Sequence, residues 1–215
     1  MRLIEEVEVK LDFHDLLNRQ PLVRGEQPAR APGIHLSGVL RHTLCSSRVP
    51  GWQKYEKEIK EEDPKLGPKE YPLIWFLGVC WEEGIASMYS DWIWAPGETQ
   101  VQAPTGPVYM TCDGLNPQIG CVEEAKYTSC KRRTWQDLVK PERGFSQDWL
   151  KMQQGSGYCL GYGPELVRWH VLWNYEPYRP VYIRYLVEFS QKDLRETQSM
   201  IAANRQGAIN AGYGE

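Results

Sequence analysis

The chain has 215 residues, 41 % of them apolar and 25 % charged, with a net charge of −3. That length suits one domain with a sizeable core, and the balance excludes a histone-like basic protein while leaving room for a local basic groove. The six cysteines (45, 80, 112, 121, 130, 159) contain no CxxC pair. The N-terminal "MRLIEEVEVK" is acidic where a secretory signal needs a basic and then an apolar run, so the thiols read as reduced and the location as cytoplasmic.

In chain order, "EEVEVKLDF" (5–13) alternates Val7, Val9 and Leu11 against charges and predicts a half-exposed strand. "RGEQPARAPG" (24–33) is a Pro/Gly loop, and "HLSGVLRHTLCS" (35–46) a short helix. "QKYEKEIKEEDPK" (53–65) is a run of opposite charges four apart, a solvated helix ending at Pro64. The most apolar window, residues 73 to 94, holds Glu82, Glu83 and Asp91, which argues against a membrane span. It predicts a largely buried helix from Leu73 to Trp92. A β-rich centre spans about 100–128, followed by a basic stretch. Next come a helix at "SQDWLKMQQGSGYCLGY" (146–162), strands at "LVRWHVLWNY" (166–175) and "VYIRYLVEF" (181–189), and a last helix from Lys192. "GAINAGYGE" (207–215) reads as a disordered tail. No repeat and no linker divides the chain, and the mixed order predicts a single α/β sandwich.

The chemistry concentrates in "MTCDGLNPQIGCVEEAKYTSC" (110–130). Strand alternation sends Glu124 and Lys126 to one face and Glu123 and Ala125 to the other. Asp113, just before the turn "GLNPQIG", can reach the face of Glu124. Two carboxylates converging at a buried spot are costly unless a cation neutralises them, and hard carboxylate oxygens suit Mg²⁺ or Mn²⁺. A lysine beside such a metal can orient water for phosphodiester hydrolysis. The bare pattern Glu-x-Lys also occurs at Glu8–Lys10 and Glu58–Lys60, and a surface hairpin with an ordinary salt bridge is the plain alternative. Glu82 strengthens the case. On a helical wheel it falls within the apolar stripe Trp75, Gly78, Val79, Ile85, Ala86 and Tyr89, whereas Glu83 faces Ser87 and Ser90. Gln154 and Tyr158 share a helix face. Glycines 155, 157 and 161 between and after them imply close backbone packing, since no Lys-Ser/Thr follows to make a phosphate loop.

The set Gly78-x-x-x-Glu82, Asp113-Gly-Leu, Glu124-Ala-Lys126 and Gln154-x-x-x-Tyr158, in this order, resembles the PD-(D/E)XK nuclease superfamily. More narrowly, it resembles the phage lambda-type exonucleases and RecB-type nuclease domains, from about Arg30 to the end of the chain. Residues 1–30 would then be an N-terminal extension. The resemblance implies a restriction-endonuclease-like sandwich, a central mixed β-sheet flanked by helices. It implies a Mg²⁺- or Mn²⁺-dependent deoxyribonuclease, with two ions held by Glu82, Asp113, Glu124 and the backbone of Ala125. Lys126 would activate water, Gln154 would support the substrate or the lysine, and Tyr158 would contact the substrate. Cys112 stands where the superfamily's proline often stands. Iron–sulfur relatives carry three clustered C-terminal cysteines, which Cys159 alone does not make, so no cluster is expected.

DNA is the expected substrate. From Lys126 to Lys151 seven Lys/Arg, Lys131, Arg132 and Arg133 among them, face three acids, directly after the catalytic strand where a phosphate backbone would lie. The lambda-type resemblance further implies a 5′-phosphate pocket from Arg30, Ser37, Thr111 and Arg132, and hence 5′ to 3′ digestion. An endonuclease, a single-strand-specific nuclease and a non-cleaving DNA-binding protein are the alternatives. No membrane partner is expected. A homo-oligomer and a single-strand-annealing recombination partner stay open.

Overall fold

The computed structural model describes residues 1–12, 31–46, 72–89, 91–128, 132, 147–175 and 179–213. The charged helix expected at 53–65 lies outside them, as do Arg30, Lys131, Arg133 and, apart from Arg132, the rest of the basic stretch up to residue 146.

The elements are β1 (Arg2–Val9), α1 (Leu36–Ser46), α2 (Pro72–Met88), β2 (Ile93–Trp94), β3 (Thr99–Ala103), β4 (Gly106–Met110), β5 (Gly114–Asn116), β6 (Cys121–Thr128), α3 (Gln147–Tyr162), β7 (Leu166–Trp173), β8 (Val181–Glu188) and α4 (Gln191–Asn210). Six strands make one sheet in the order β1-β8-β7-β6-β5-β2, and β3 and β4 pair as a separate hairpin. Neighbours in the large sheet run antiparallel except β6 and β7, which are parallel. A parallel pair needs a crossover rather than a tight turn, and α3 lies in that connection.

Alternation along the strands sorts the core onto two faces. Val122 of β6, Trp169 and Val171 of β7, and Ile183 and Val187 of β8 join the larger cluster with residues of α1, α3 and α4. On the opposite face Ala125, Leu172 and Tyr182 meet Trp81 and Ile85 of α2 and the following Trp92. The result is the expected mixed α/β architecture, a central mixed sheet with helices on both faces. Among the described residues no helix is long and apolar enough to cross a membrane.

Four boundaries differ from the sequence expectation. Helix α2 stops at Met88 rather than Trp92. Trp92 instead stacks on Tyr89, with ring centroids 4.9 Å apart, and the chain returns as β2 against β5. Tertiary burial of Trp92, not local propensity, ends the helix. "GLN" (114–116) is strand β5, and the turn shrinks to Pro117–Gly120, where Asn116 Oδ1 accepts from the Gln118 N–H at 3.1 Å and Gly120 takes φ 59°. Helix α4 starts at Gln191 behind a Ser190/Asp193 capping box. It runs on through residues 207–210, expected in a disordered tail, and Tyr213 closes its end by donating its N–H to Ala208 O at 3.0 Å.

The glycines of α3 have the expected role. A Cβ on Gly155 would lie 2.5 Å from the Trp169 ring, one on Gly157 2.4 Å from Leu36, and one on Gly161 2.6 Å from Thr99. Their bareness lets α3 settle against β7, α1 and the β3–β4 hairpin.

Candidate active site

The β5–β6 ladder ends at Gly114↔Glu123. One step further the same register sets Asp113 opposite Glu124, but side chains replace the ladder there. Asp113 N–H donates to Glu124 Oε1 at 3.2 Å, and Ala125 N–H donates to Asp113 Oδ2 at 2.8 Å. A strand residue points its N–H and C=O to the same side, so the Ala125 carbonyl faces the same opening. Lys126 Nζ sits 2.5 Å from Glu124 Oε2 and 3.7 Å from Asp113 Oδ2. Glu124 is 1 % exposed, Lys126 20 % and Asp113 16 %, so solvent reaches the triad through Lys126 and Asp113.

Burial pushes the Glu124 carboxyl up, Asp113 adds to that, and Lys126 opposes it. For Lys126, burial alone acts downward. Glu124 and Asp113 outweigh it, and Glu82 adds to them, so the ammonium is held above its ordinary range. In α3, Gln154 Nε2 donates to the Tyr158 hydroxyl at 2.5 Å. Burial raises the Tyr158 phenol first, then the charges of Glu124 and Asp113, so this ring lies within electrostatic reach of the carboxylate pair.

Of the residues singled out in the sequence, Asp113, Glu124, Ala125, Lys126, Gln154 and Tyr158 therefore converge. Glu82 acts on Lys126 from α2. Among the described side chains of α2 the buried ones are Trp81, Ile85 and Ala86; Ile85 and Ala86 belong to the expected stripe, Trp81 extends it to one side, and Glu82 is half-buried like Glu83. Among the described residues no three His, Cys, Asp or Glu side chains gather into one metal-holding group. Two carboxylates and a carbonyl still form a hard-oxygen donor set of the kind that holds Mg²⁺ together with waters and a substrate phosphate. Lys126 now supplies the positive charge that the pair requires.

Of the four residues expected in the phosphate pocket, Arg30 lies outside the described residues. Thr111, half-buried, precedes Asp113, and Ser37 is exposed at the start of α1. Arg132, however, pairs with Glu8 of β1 at 2.7 Å and with Glu6 at 3.8 Å. Three strands separate β1 from β5, a span on the order of 19 Å at strand spacing. The reason is local. Glu6 and Glu8 project from the same face of the edge strand and offer Arg132 the nearer carboxylates.

Sequence reasoning missed the other face of β6. Glu123 is fully buried, with Oε1 3.3 Å from Arg168 Nη1 and Oε2 2.9 Å from His170 Nε2. His170 Nδ1 lies 2.5 Å from the Tyr182 hydroxyl, which lies 3.1 Å from that of Tyr89. Burial holds His170 neutral, and the nearby Arg168 and Arg184 push its pKa the same way. Burial also lifts Glu123 to about 8, against the pull of Arg168 and Asn116. The signal was a histidine and an arginine two apart in "LVRWHVLW", on the parity that strand alternation gives to Glu123.

No protein-family model and no curated protein matches the chain. Among solved structures, one described as "Crystal structure of SSO0001" matches with a TM-score of 0.51 and 13 % identity, over 83 % of this chain and 75 % of that one. At that identity the likeness speaks for the fold alone: a mixed α/β sheet flanked by helices.

Proposed function

We propose that the chain is a metal-dependent deoxyribonuclease of restriction-endonuclease-like fold, hydrolysing DNA phosphodiester bonds as a phage-type 5′ to 3′ exonuclease in a cytoplasm. The observation that carries it is Lys126, with its ammonium between the Asp113 and Glu124 carboxylates at the point where the β5–β6 ladder opens. The ordered motifs in the sequence and the convergence of Gln154 and Tyr158 on the same spot support it.

In this reading Asp113, Glu124 and the Ala125 carbonyl would hold Mg²⁺ or Mn²⁺, which supplies charge stabilisation at the phosphoryl oxygens and an acidified water. Lys126, kept charged by the two acids, donates to the attacking water and orients it. An ion held there would take over the charge balance that the ammonium now gives the two carboxylates, leaving Lys126 to face the scissile phosphate. Gln154, braced by Tyr158, meets the substrate from α3.

Linear duplex, circular duplex and single-stranded DNA, each incubated with Mg²⁺, Mn²⁺ or EDTA, test the assignment. Degradation of the linear forms in either metal and none in EDTA is expected. Lys126→Ala should lower turnover by about 100- to 10,000-fold, the usual reach of a positioned acid–base group, and Asp113→Ala should abolish it. No degradation in either metal overturns the enzyme. The distance of Arg132 from Thr111 favours a second reading, an endonuclease or single-strand nuclease with the same centre, for which digestion of circular DNA is the signature.

A further inference from the structure

Glu123 and Glu124 are neighbours on one strand, yet each is held from a different face. Glu124 faces the opening, and Glu123 is the last β6 residue paired with β5 before it. A charged carboxyl with no solvent exposure is costly unless every oxygen is met, and an apolar side chain in its place commonly stabilises as well or better. Its partners are therefore informative. Arg168 and His170 of β7 hold the two oxygens, Tyr182 of β8 holds His170, and Tyr89, just beyond α2, holds Tyr182. The indole of Trp81 donates to the His170 carbonyl at 2.9 Å, so α2 grips the chain at two places. Across from Glu123 stands Gly114, whose missing side chain leaves Trp92 room at 3.0 Å. A slip of β6 by one residue would exchange Glu123 and Glu124 between the faces, and in one direction it would set Glu124 in the apolar place of Ala125 beneath α2.

We infer that the buried chain Glu123–His170–Tyr182–Tyr89 is a positioning device that fixes the register and lean of β6, and so sets the affinity of the Asp113–Glu124 pair for a divalent cation. It acts through Glu124 and touches neither metal nor substrate. It also ties α2, and with it Glu82, to the strand that carries Lys126. The inference rests on the metal-dependent reading of the site.

The test is calorimetric titration of the full chain with Mn²⁺ in the absence of DNA. Glu123→Gln should weaken binding by about tenfold or more, as loss of a supporting partner commonly does. Tyr182→Phe, which removes one hydroxyl and keeps the ring, should weaken it in the same direction by less. Ile201→Ala, a truncation in the core of α4 remote from the network, should lower the melting temperature yet leave Mn²⁺ affinity unchanged. Where Glu123→Gln does not fold, Tyr182→Phe decides. Wild-type affinity in the folded Tyr182→Phe and Glu123→Gln proteins overturns the inference and leaves the nuclease assignment standing. No Mn²⁺ binding by the wild type overturns both.

Discussion

At the residue scale, adjacent acids on β6 carry opposite duties because a strand sends successive side chains to opposite faces. Both sit in surroundings that raise their protonation range, Glu123 to about 8 against an ordinary 4.5, and Glu124 upward as well. The folded chain thus binds these protons more tightly than the unfolded chain does. The stability they contribute is complete below about pH 4.5 and is lost as the pH rises through about 8. In EDTA the melting temperature should accordingly fall between about pH 7 and about pH 9, above the range in which the buried, neutral His170 acts in the opposite sense. Added Mg²⁺ should recover part of the loss at the upper end, because a bound cation favours ionised Glu124. Glu123→Gln should flatten the profile. A melting temperature that rises across this range in EDTA rejects the assignment of buried, raised carboxyls.

At the element scale, helix propensity and packing pull against each other in α3. Replacing Gly155 with Ala gains roughly 1 kcal/mol of helix propensity, but the new methyl would lie 2.5 Å from the Trp169 ring. Overpacking of that kind costs about 1–3 kcal/mol. Trp169 is itself wedged beneath the helix with 2 % exposure, so it has little room to yield. Gly155→Ala should therefore lower the denaturation midpoint, and an increase would mean that α3 stands further from β7 than described. The glycines were legible in the sequence as a packing signal, whereas the partners Trp169, Leu36 and Thr99 were not. Nothing local names a residue that arrives from another strand. The same limit displaced the C-terminus of α2, since the stacking of Trp92 on Tyr89 and its edge contact with His170 are decided by β7.

At the scale of the whole molecule, the edge strand β1 pairs Glu6 and Glu8 with Arg132. Glu6 and Glu8 already balance the charge of Arg132, so Arg132→Ala should remove at most one phosphate contact and lower DNA affinity in Ca²⁺ by about fivefold or less. Any preference for a 5′-phosphate over a 5′-hydroxyl end should survive it. Loss of that preference in the Arg132 variant would show that Arg132 swings back toward Thr111 on DNA. Period-two alternation by itself assigned Glu124 and Lys126 to one face, and the turn signals brought Asp113 beside them, because both rules act over a few residues. Motif order likewise named Gln154 and Tyr158. Only the sheet order β1-β8-β7-β6-β5-β2 decided that Arg132 meets β1 and that Glu123 is answered by His170, Arg168, Tyr182 and Tyr89. These partners are up to 124 residues apart in the chain, and a partner across a sheet is chosen by which strand lies next to which, a quantity that no local pattern contains.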